Sequence, residues 1–72
     1  MRNYLIVIEK TKTGFSAYVP DLPGCVATGK SKLQVQENIA SAIEFHLEGL
    51  KNSRKKIPQQ NTEAMNILIA AH

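Results

Sequence analysis

The side chains that could support catalysis are few in this 72-residue chain, and they are scattered. A nuclease that works through two metal ions needs several carboxylates that converge on one point. Here Glu9 ends a predicted strand, Asp21 lies in a turn, and the remaining acids except Glu63 belong to one predicted helix. The sequence therefore predicts a protein that is not an enzyme.

The candidate metal ligands are equally sparse. The possible soft ligands are Cys25, His46 and His72. A zinc site requires ligands that are closely spaced in the sequence, and these three are far apart. We therefore expect no metal and no cofactor. Cys25 begins a predicted strand, where a buried thiol is the usual outcome. His46 falls on the apolar side of the predicted helix, which favours a core or boundary position over a ligand role.

Size and composition describe a single small domain, residues 1–72. The chain has a mass of 8.0 kDa, a pI near 9.3 and a net charge of +3. A domain of this size buries only about 60% of its unfolded surface and is marginal alone. With one cysteine it cannot form an internal disulfide, so we expect self-association as a homodimer or homotetramer. The free thiol, with neither an export signal nor a membrane-length apolar run, favours the cytoplasm.

Hydrophobic periodicity predicts an α+β fold of order β-β-β-α-β. A run rich in β-branched and aromatic residues, apolar on both faces, predicts a strand at about 3–9, and alternating apolar residues predict one at about 15–19. A shorter strand is predicted at about 25–28 and a last strand at about 64–71. Pro20, Pro23 and Gly24 form a turn between the second and third strands. We expect an antiparallel-rich sheet with one helix packed on one face, and an uncovered apolar face that favours assembly.

A capped helix is predicted at about 32–52. Ser31 and Gln34 form a capping box, in which the Ser oxygen and the Gln side chain each take one free amide. An apolar stripe then recurs at spacings of three and four, which is typical of a helix that packs on a sheet. Its members are Val35, Ile39, Ala42, Ile43, His46, Leu47 and Leu50.

The sequence around this turn and helix resembles the HicB-like antitoxins. The resemblance is carried by the segment Tyr18-Val19-Pro20-Asp21-Leu22-Pro23-Gly24-Cys25, then Thr28-Gly29, Glu37-Asn38-Ile39 and Ala42-Ile43. It implies a degenerate ribonuclease H-like fold and a partner, a HicA-like toxin ribonuclease that cleaves messenger RNA. Many members add a C-terminal DNA-binding domain and repress their own operon. This sequence ends after the predicted last strand, so we expect the short form, and DNA binding only with an added domain.

Two charged surfaces are candidate binding sites. Glu37, Glu44 and Glu48 fall within a sector of about 40° nearly opposite the apolar stripe. With Phe45 beside them and Asp21 in the turn, they are the candidate toxin-binding residues. Each also has a plainer interpretation. The three acids could form a solvated helix face, Phe45 could be an isolated exposed residue, and Asp21 could cap backbone amides in its turn.

Basic residues gather at the other candidate surface, after the helix. Lys51, Arg54, Lys55 and Lys56 could contact phosphates, or they could simply complement the helix dipole. The leading hypothesis is an antitoxin that covers the active site of its toxin. The alternatives are a small basic nucleic-acid-binding or regulatory module, and an orphan domain without a toxin.

Overall fold

Three short antiparallel strands form the sheet in the computed structural model, which describes residues 2–71. They are β1 (Val7–Lys10), β2 (Phe15–Tyr18) and β3 (Val26–Gly29), in the spatial order β1-β2-β3. The predicted meander is confirmed, although β1 begins at Val7 and not near residue 3. Both β1 and β3 are edge strands.

The register of the strands separates the two faces of the sheet. Ala17 lies opposite Ile8 on one side and Ala27 on the other, and this row faces the core. Tyr18 lies opposite Val7 and Val26 in the next row, which therefore points away from the core. Tyr18 is 41% exposed and Val26 is 65% exposed, so the outer face carries an uncovered apolar row.

The single helix, α1, runs over Lys32–Asn52 as predicted. The Ser31 hydroxyl accepts a hydrogen bond from the Gln34 amide at 3.0 Å. Gln34 Oε1 accepts one from the Lys30 amide at 2.6 Å, one residue before the N-cap. The capping box thus satisfies two amides that the helix itself cannot pair.

The C-terminal end of α1 closes in a Schellman arrangement. The Lys55 amide donates to the Leu50 carbonyl at 2.9 Å, and the Arg54 amide donates to the Lys51 carbonyl at 3.1 Å. Arg54 takes a left-handed backbone conformation with φ of 57°. Glycine is the usual residue at this position, because a Cβ atom makes the conformation costly.

A small core lies between α1, the sheet and the turn before β3. Its fully enclosed members come from each of these elements: Ala17, Val19, Leu22, Cys25, Val35 and Ile39. Burial of a large aliphatic side chain contributes about 1.5–3 kcal/mol. The helix can approach closely because Gly29 ends β3, where an added Cβ would lie 2.6 Å from the Val35 amide nitrogen.

The predicted last strand, residues 64–71, is wrong for the isolated chain. After α1, no strand or helix forms in the rest of the described chain, through residue 71. Met65, Ile67, Leu68 and Ile69 are 71–101% exposed. The segment has the composition of a strand, but a strand also needs a neighbour whose backbone pairs with it, and among residues 2–71 the segment pairs with no strand.

Candidate functional site

The outer surface of α1 presents three carboxylates on one line. Glu37, Glu44 and Glu48 are all exposed, whereas Val35 and Ile39 of the same helix are buried. We call these three residues the acidic ridge. Glu37 and Glu48 are eleven residue steps apart in the helix, or about 16 Å at 1.5 Å per residue. The ridge is thus a fixed row of negative charge directed away from the core.

Phe45 lies beside the acidic ridge and is 81% exposed. It also borders a shallow hollow at the C-terminal end of α1. The hollow has a volume of about 320 Å³ and is lined by Phe45, His46, Gly49, Leu50, Ser53 and Lys55. An exposed aromatic ring therefore lies beside the acidic ridge and borders the hollow, an arrangement that could anchor a partner.

Asp21 is half-exposed, and its carboxylate holds the segment that follows α1. Oδ1 accepts a hydrogen bond from the Thr62 hydroxyl at 2.7 Å. Oδ2 accepts from the Asn61 amide at 2.9 Å and from the Thr62 amide at 3.1 Å. We call this group the Asp21 clamp. The hydrogen bond from the Thr62 side chain and that from the Asn61 backbone hold the pKa of Asp21 below its ordinary value.

A second tether lies close to the start of β1. The Tyr4 hydroxyl donates a hydrogen bond to the Pro58 carbonyl at 2.6 Å. Sequence reasoning missed both tethers, because their partners are 40, 41 and 54 residues apart along the chain. Asp21 caps backbone amides as its plainer interpretation predicted, but those amides belong to Asn61 and Thr62 and not to its own turn.

The basic cluster surrounds the end of α1. Lys51, Arg54, Lys55 and Lys56 are all exposed. Lys51 lies in the last turn of the helix, where a cation is favourable beside the unpaired carbonyls. The basic cluster thus follows directly after the acidic ridge along the helix axis, with Lys51 three residues beyond Glu48.

Cys25 and His46 both lie toward the core. Cys25 is 4% exposed, and burial raises the pKa of its thiol, which disfavours the reactive thiolate. His46 is half-buried on the core side of α1. Within residues 2–71 no group of three His, Cys, Asp or Glu side chains is placed to hold a metal ion.

A family model described as the HicB-like antitoxin of bacterial toxin-antitoxin systems matches residues 4–71. The chain belongs to the HicB-like antitoxin family. The match covers the whole sheet, the helix and the segment after it, and the resemblance seen in the sequence is thereby confirmed. This family consists of binding proteins and not of enzymes. No helix within the described residues is long and apolar enough to cross a membrane.

Related chains occur in archaea, bacteria and a phage. This HicB-like antitoxin is 38% identical over 65 residues to a UPF0150 protein of Thermoplasma acidophilum, with 89% of this chain and 94% of the relative covered. It is 49% identical over 45 residues to a UPF0150 protein of Helicobacter pylori, with 62% of each covered. An uncharacterised 14.9 kDa protein of Haemophilus phage HP1 is 38% identical over 58 residues, which are 81% of this chain but only 44% of the phage protein.

The fold is also similar to a solved structure. A chain from a structure titled the HicA3 and HicB3 toxin-antitoxin complex superposes with a TM-score of 0.72 at 33% identity. The superposition covers 83% of this HicB-like antitoxin and 70% of that chain.

Proposed function

We propose that this HicB-like antitoxin neutralises a HicA-like, messenger-RNA-cleaving toxin by covering its active site. The observation that carries the proposal is the family membership over residues 4–71, together with the similarity to a chain of a toxin-antitoxin complex. Inhibition of this kind needs surface complementarity and no chemistry. The absence of a metal-binding cluster among the described residues is compatible with it.

The acidic ridge is the surface that we assign to the toxin. A ribonuclease that holds RNA presents a positively charged surface to the phosphates. A row of carboxylates attracts such a surface, speeds association and fixes the orientation of the complex. Glu37, Glu44 and Glu48 are exposed and lie within one sector of α1. The toxin would then be blocked where RNA must enter.

Phe45 supplies the apolar part of the same surface. Interfaces are anchored by a few large side chains that lose contact with water, surrounded by polar residues. Phe45 is 81% exposed and adjoins the ridge, so a partner that covers the ridge also covers the ring. Asp21 contributes to this function indirectly, since its carboxylate is engaged by Asn61 and Thr62.

Charge reversal on the ridge tests the proposal. The toxin is sought in the reading frame beside this one and co-expressed with the antitoxin. We expect the double variant Glu44→Lys with Glu48→Lys to bind the toxin more weakly by roughly tenfold or more, and to protect RNA poorly in a cleavage assay. The matched control is Glu9→Lys, because Glu9 is equally exposed but lies on β1. Unchanged inhibition by the double variant would exclude the ridge from the mechanism.

A second candidate function is direct nucleic-acid binding. It is favoured by the four exposed cations Lys51, Arg54, Lys55 and Lys56. Binding of this kind weakens steeply as salt rises. A gel shift at low salt decides it: a retarded band that is lost in a variant with Lys55 and Lys56 changed to Gln supports this function. An unshifted probe excludes it.

We also propose that the chain acts in the cytoplasm and that it associates with copies of itself. A lone chain leaves apolar surface in water at two places. One is the outer row of the sheet, formed by Val7, Tyr18 and Val26, and the other is the exposed segment that follows α1. A homodimer or homotetramer would cover part of it. Sedimentation of the purified chain over a wide range of concentrations measures this directly.

A further inference from the structure

A second hollow opens at the end of the sheet where the chain turns from β1 into β2. It has a volume of about 460 Å³, which is in the range of sites for small molecules. The hairpin turn, the junction of β3 with α1 and the first turns of the helix surround it. The side chains that the hollow offers to a ligand are those of Thr11, Thr13, Phe15, Lys30, Gln34 and Asn38. None of them belongs to the acidic ridge or to the basic cluster, so neither function proposed above uses this part of the molecule.

Two glycines bring the walls of this hollow together. A Cβ atom added to Gly14 would collide with the Gly29 carbonyl oxygen, so the hairpin turn lies directly against the end of β3. A Cβ atom added to Gly29 would in turn lie 2.6 Å from the Val35 amide nitrogen, so the end of β3 lies directly against α1. The three pieces of backbone are therefore in close contact. The fold itself sets the walls of the hollow, and a ligand would meet a preformed site.

Hydrogen bonds fix the orientation of the two amide side chains in the hollow. Gln34 Oε1 accepts from the Lys30 amide at 2.6 Å, so the NH2 group of Gln34 is the part that can donate to a ligand. Asn38 Nδ2 donates to the Thr28 carbonyl at 2.7 Å, so Asn38 Oδ1 is the part that can accept from a ligand hydroxyl. The Ser31 hydroxyl already accepts from the Gln34 backbone amide. The hollow therefore relies on side chains and not on the helix terminus.

The charge around the hollow is positive. Lys30 lines it, and Lys12 lies in the hairpin turn. Lys10 lies opposite Phe15, which is two residues from the core residue Ala17, and alternate residues of a strand share a face. Lys10 is therefore directed to the helix side of the sheet, at the end where the hollow opens. Among residues 2–71 no carboxylate lines the hollow, so its surroundings favour an anion over a neutral or cationic ligand.

We propose that this hollow binds a small phosphate ester whose organic part carries hydroxyl groups. The Lys30 ammonium and the Gln34 NH2 group hold the phosphate, because hydrogen bonds to an ionised group are short and strong. Asn38 Oδ1 and the hydroxyls of Thr11 and Thr13 pair with the hydroxyls of the ligand. This binding is independent of the toxin interface and of self-association, since the hollow shares no residue with either surface.

A matched pair of variants tests the site with glycerol phosphate as the probe. Lys30→Gln removes the ammonium but keeps the backbone amide that bonds Gln34, and we expect it to weaken binding by roughly tenfold or more. Arg2→Gln also removes one positive charge, but Arg2 precedes β1 and borders a different hollow with Tyr4. Arg2→Gln should therefore bind the probe like the parent chain. Both positions are exposed, so the helical circular dichroism should not change in either variant.

Amide shifts in NMR titrations of the full chain with glycerol phosphate, inorganic phosphate and glycerol measure the binding. Saturable shifts at Thr11, Thr13 and Gly29 with glycerol phosphate, weaker binding of inorganic phosphate and no saturation by glycerol support the inference. Equal affinity for inorganic phosphate and the ester would overturn it, because the hollow would then take a free anion. It is also overturned if the parent shows no saturable shift, or if Lys30→Gln binds like the parent. Each of these results leaves the toxin proposal unaffected.

Discussion

Asp21 illustrates how a residue can serve a function that its sequence position does not reveal. It lies between two prolines, and its neighbours predict a turn. In the structure it joins that turn to a segment 40 residues later. By contrast, the bond between Ser31 and Gln34 was predictable, because the capping box is a local motif with fixed spacing. Contacts that depend on the path of the chain between distant residues leave no such pattern.

The clamp makes the anchoring of residues 63–71, which we call the arm, sensitive to acid. The folded pKa of Asp21 is lowered, so the clamp contributes fully above the ordinary aspartate pKa of about 3.9 and is lost as pH falls through the lower folded value. We expect the Thr62 amide resonance to titrate with a pKa below the ordinary aspartate value. In Asp21→Asn this transition should disappear. A Thr62 titration at or above the ordinary aspartate value would contradict the assignment.

At the scale of the element, α1 was predictable from end to end. Its capping box fixes the start, its apolar stripe fixes the buried face, and the bounds Lys32–Asn52 agree with the expectation. The strands were predictable in place but not in extent. β1 is shorter than its pattern, and the last strand does not form, because strand formation depends on a neighbour as well as on composition. A helix pairs its own backbone, which is why its sequence alone suffices.

Arg54 is the one unfavourable residue at the end of this helix. It adopts a left-handed conformation where glycine is the usual choice. A glycine at this position would relieve the strain of the left-handed conformation and so stabilise the fold. Part of that gain in stability is lost, because glycine has more conformational freedom in the unfolded chain. We expect Arg54→Gly to raise the free energy of unfolding by about 0.5–1 kcal/mol in urea titrations. Lys55→Gly, which removes a charge of the same sign next to it, should bring no gain, and a gain of equal size there would contradict this explanation.

Opposite faces of α1 should respond differently to truncation. Ile39 is fully enclosed, so Ile39→Ala leaves a cavity and should destabilise the chain by about 2–5 kcal/mol. Phe45 is 81% exposed, and Phe45→Ala should change the free energy of unfolding by no more than about 0.5 kcal/mol. Urea unfolding followed by circular dichroism measures both. A large decrease in the free energy of unfolding of Phe45→Ala would mean that the ring is already covered, as it would be inside an assembly of copies.

At the scale of the whole molecule, charge and apolar surface are kept apart. The net charge of +3 suggests a nucleic-acid binder, yet the acidic ridge occupies the outer face of α1 and the cations gather at its C-terminal end. The apolar arm begins at the clamp, beyond the helix altogether. The sum of the charges was predictable from composition. Their division between two surfaces was also predictable, because helical periodicity places Glu37, Glu44 and Glu48 opposite the apolar stripe and the four cations follow the helix in the sequence.

This separation predicts that self-association and toxin inhibition can be abolished one at a time. Ile67→Lys acts on the arm, so it should yield a monomer that still inhibits the toxin, whereas the Glu44→Lys, Glu48→Lys double variant should assemble like the parent and fail to inhibit. Light scattering and an RNA cleavage assay on the same preparations measure the two properties. Loss of inhibition in the Ile67→Lys monomer would instead show that the toxin surface is built from two copies. In that case the arm would position the acidic ridge of each copy against a shared partner.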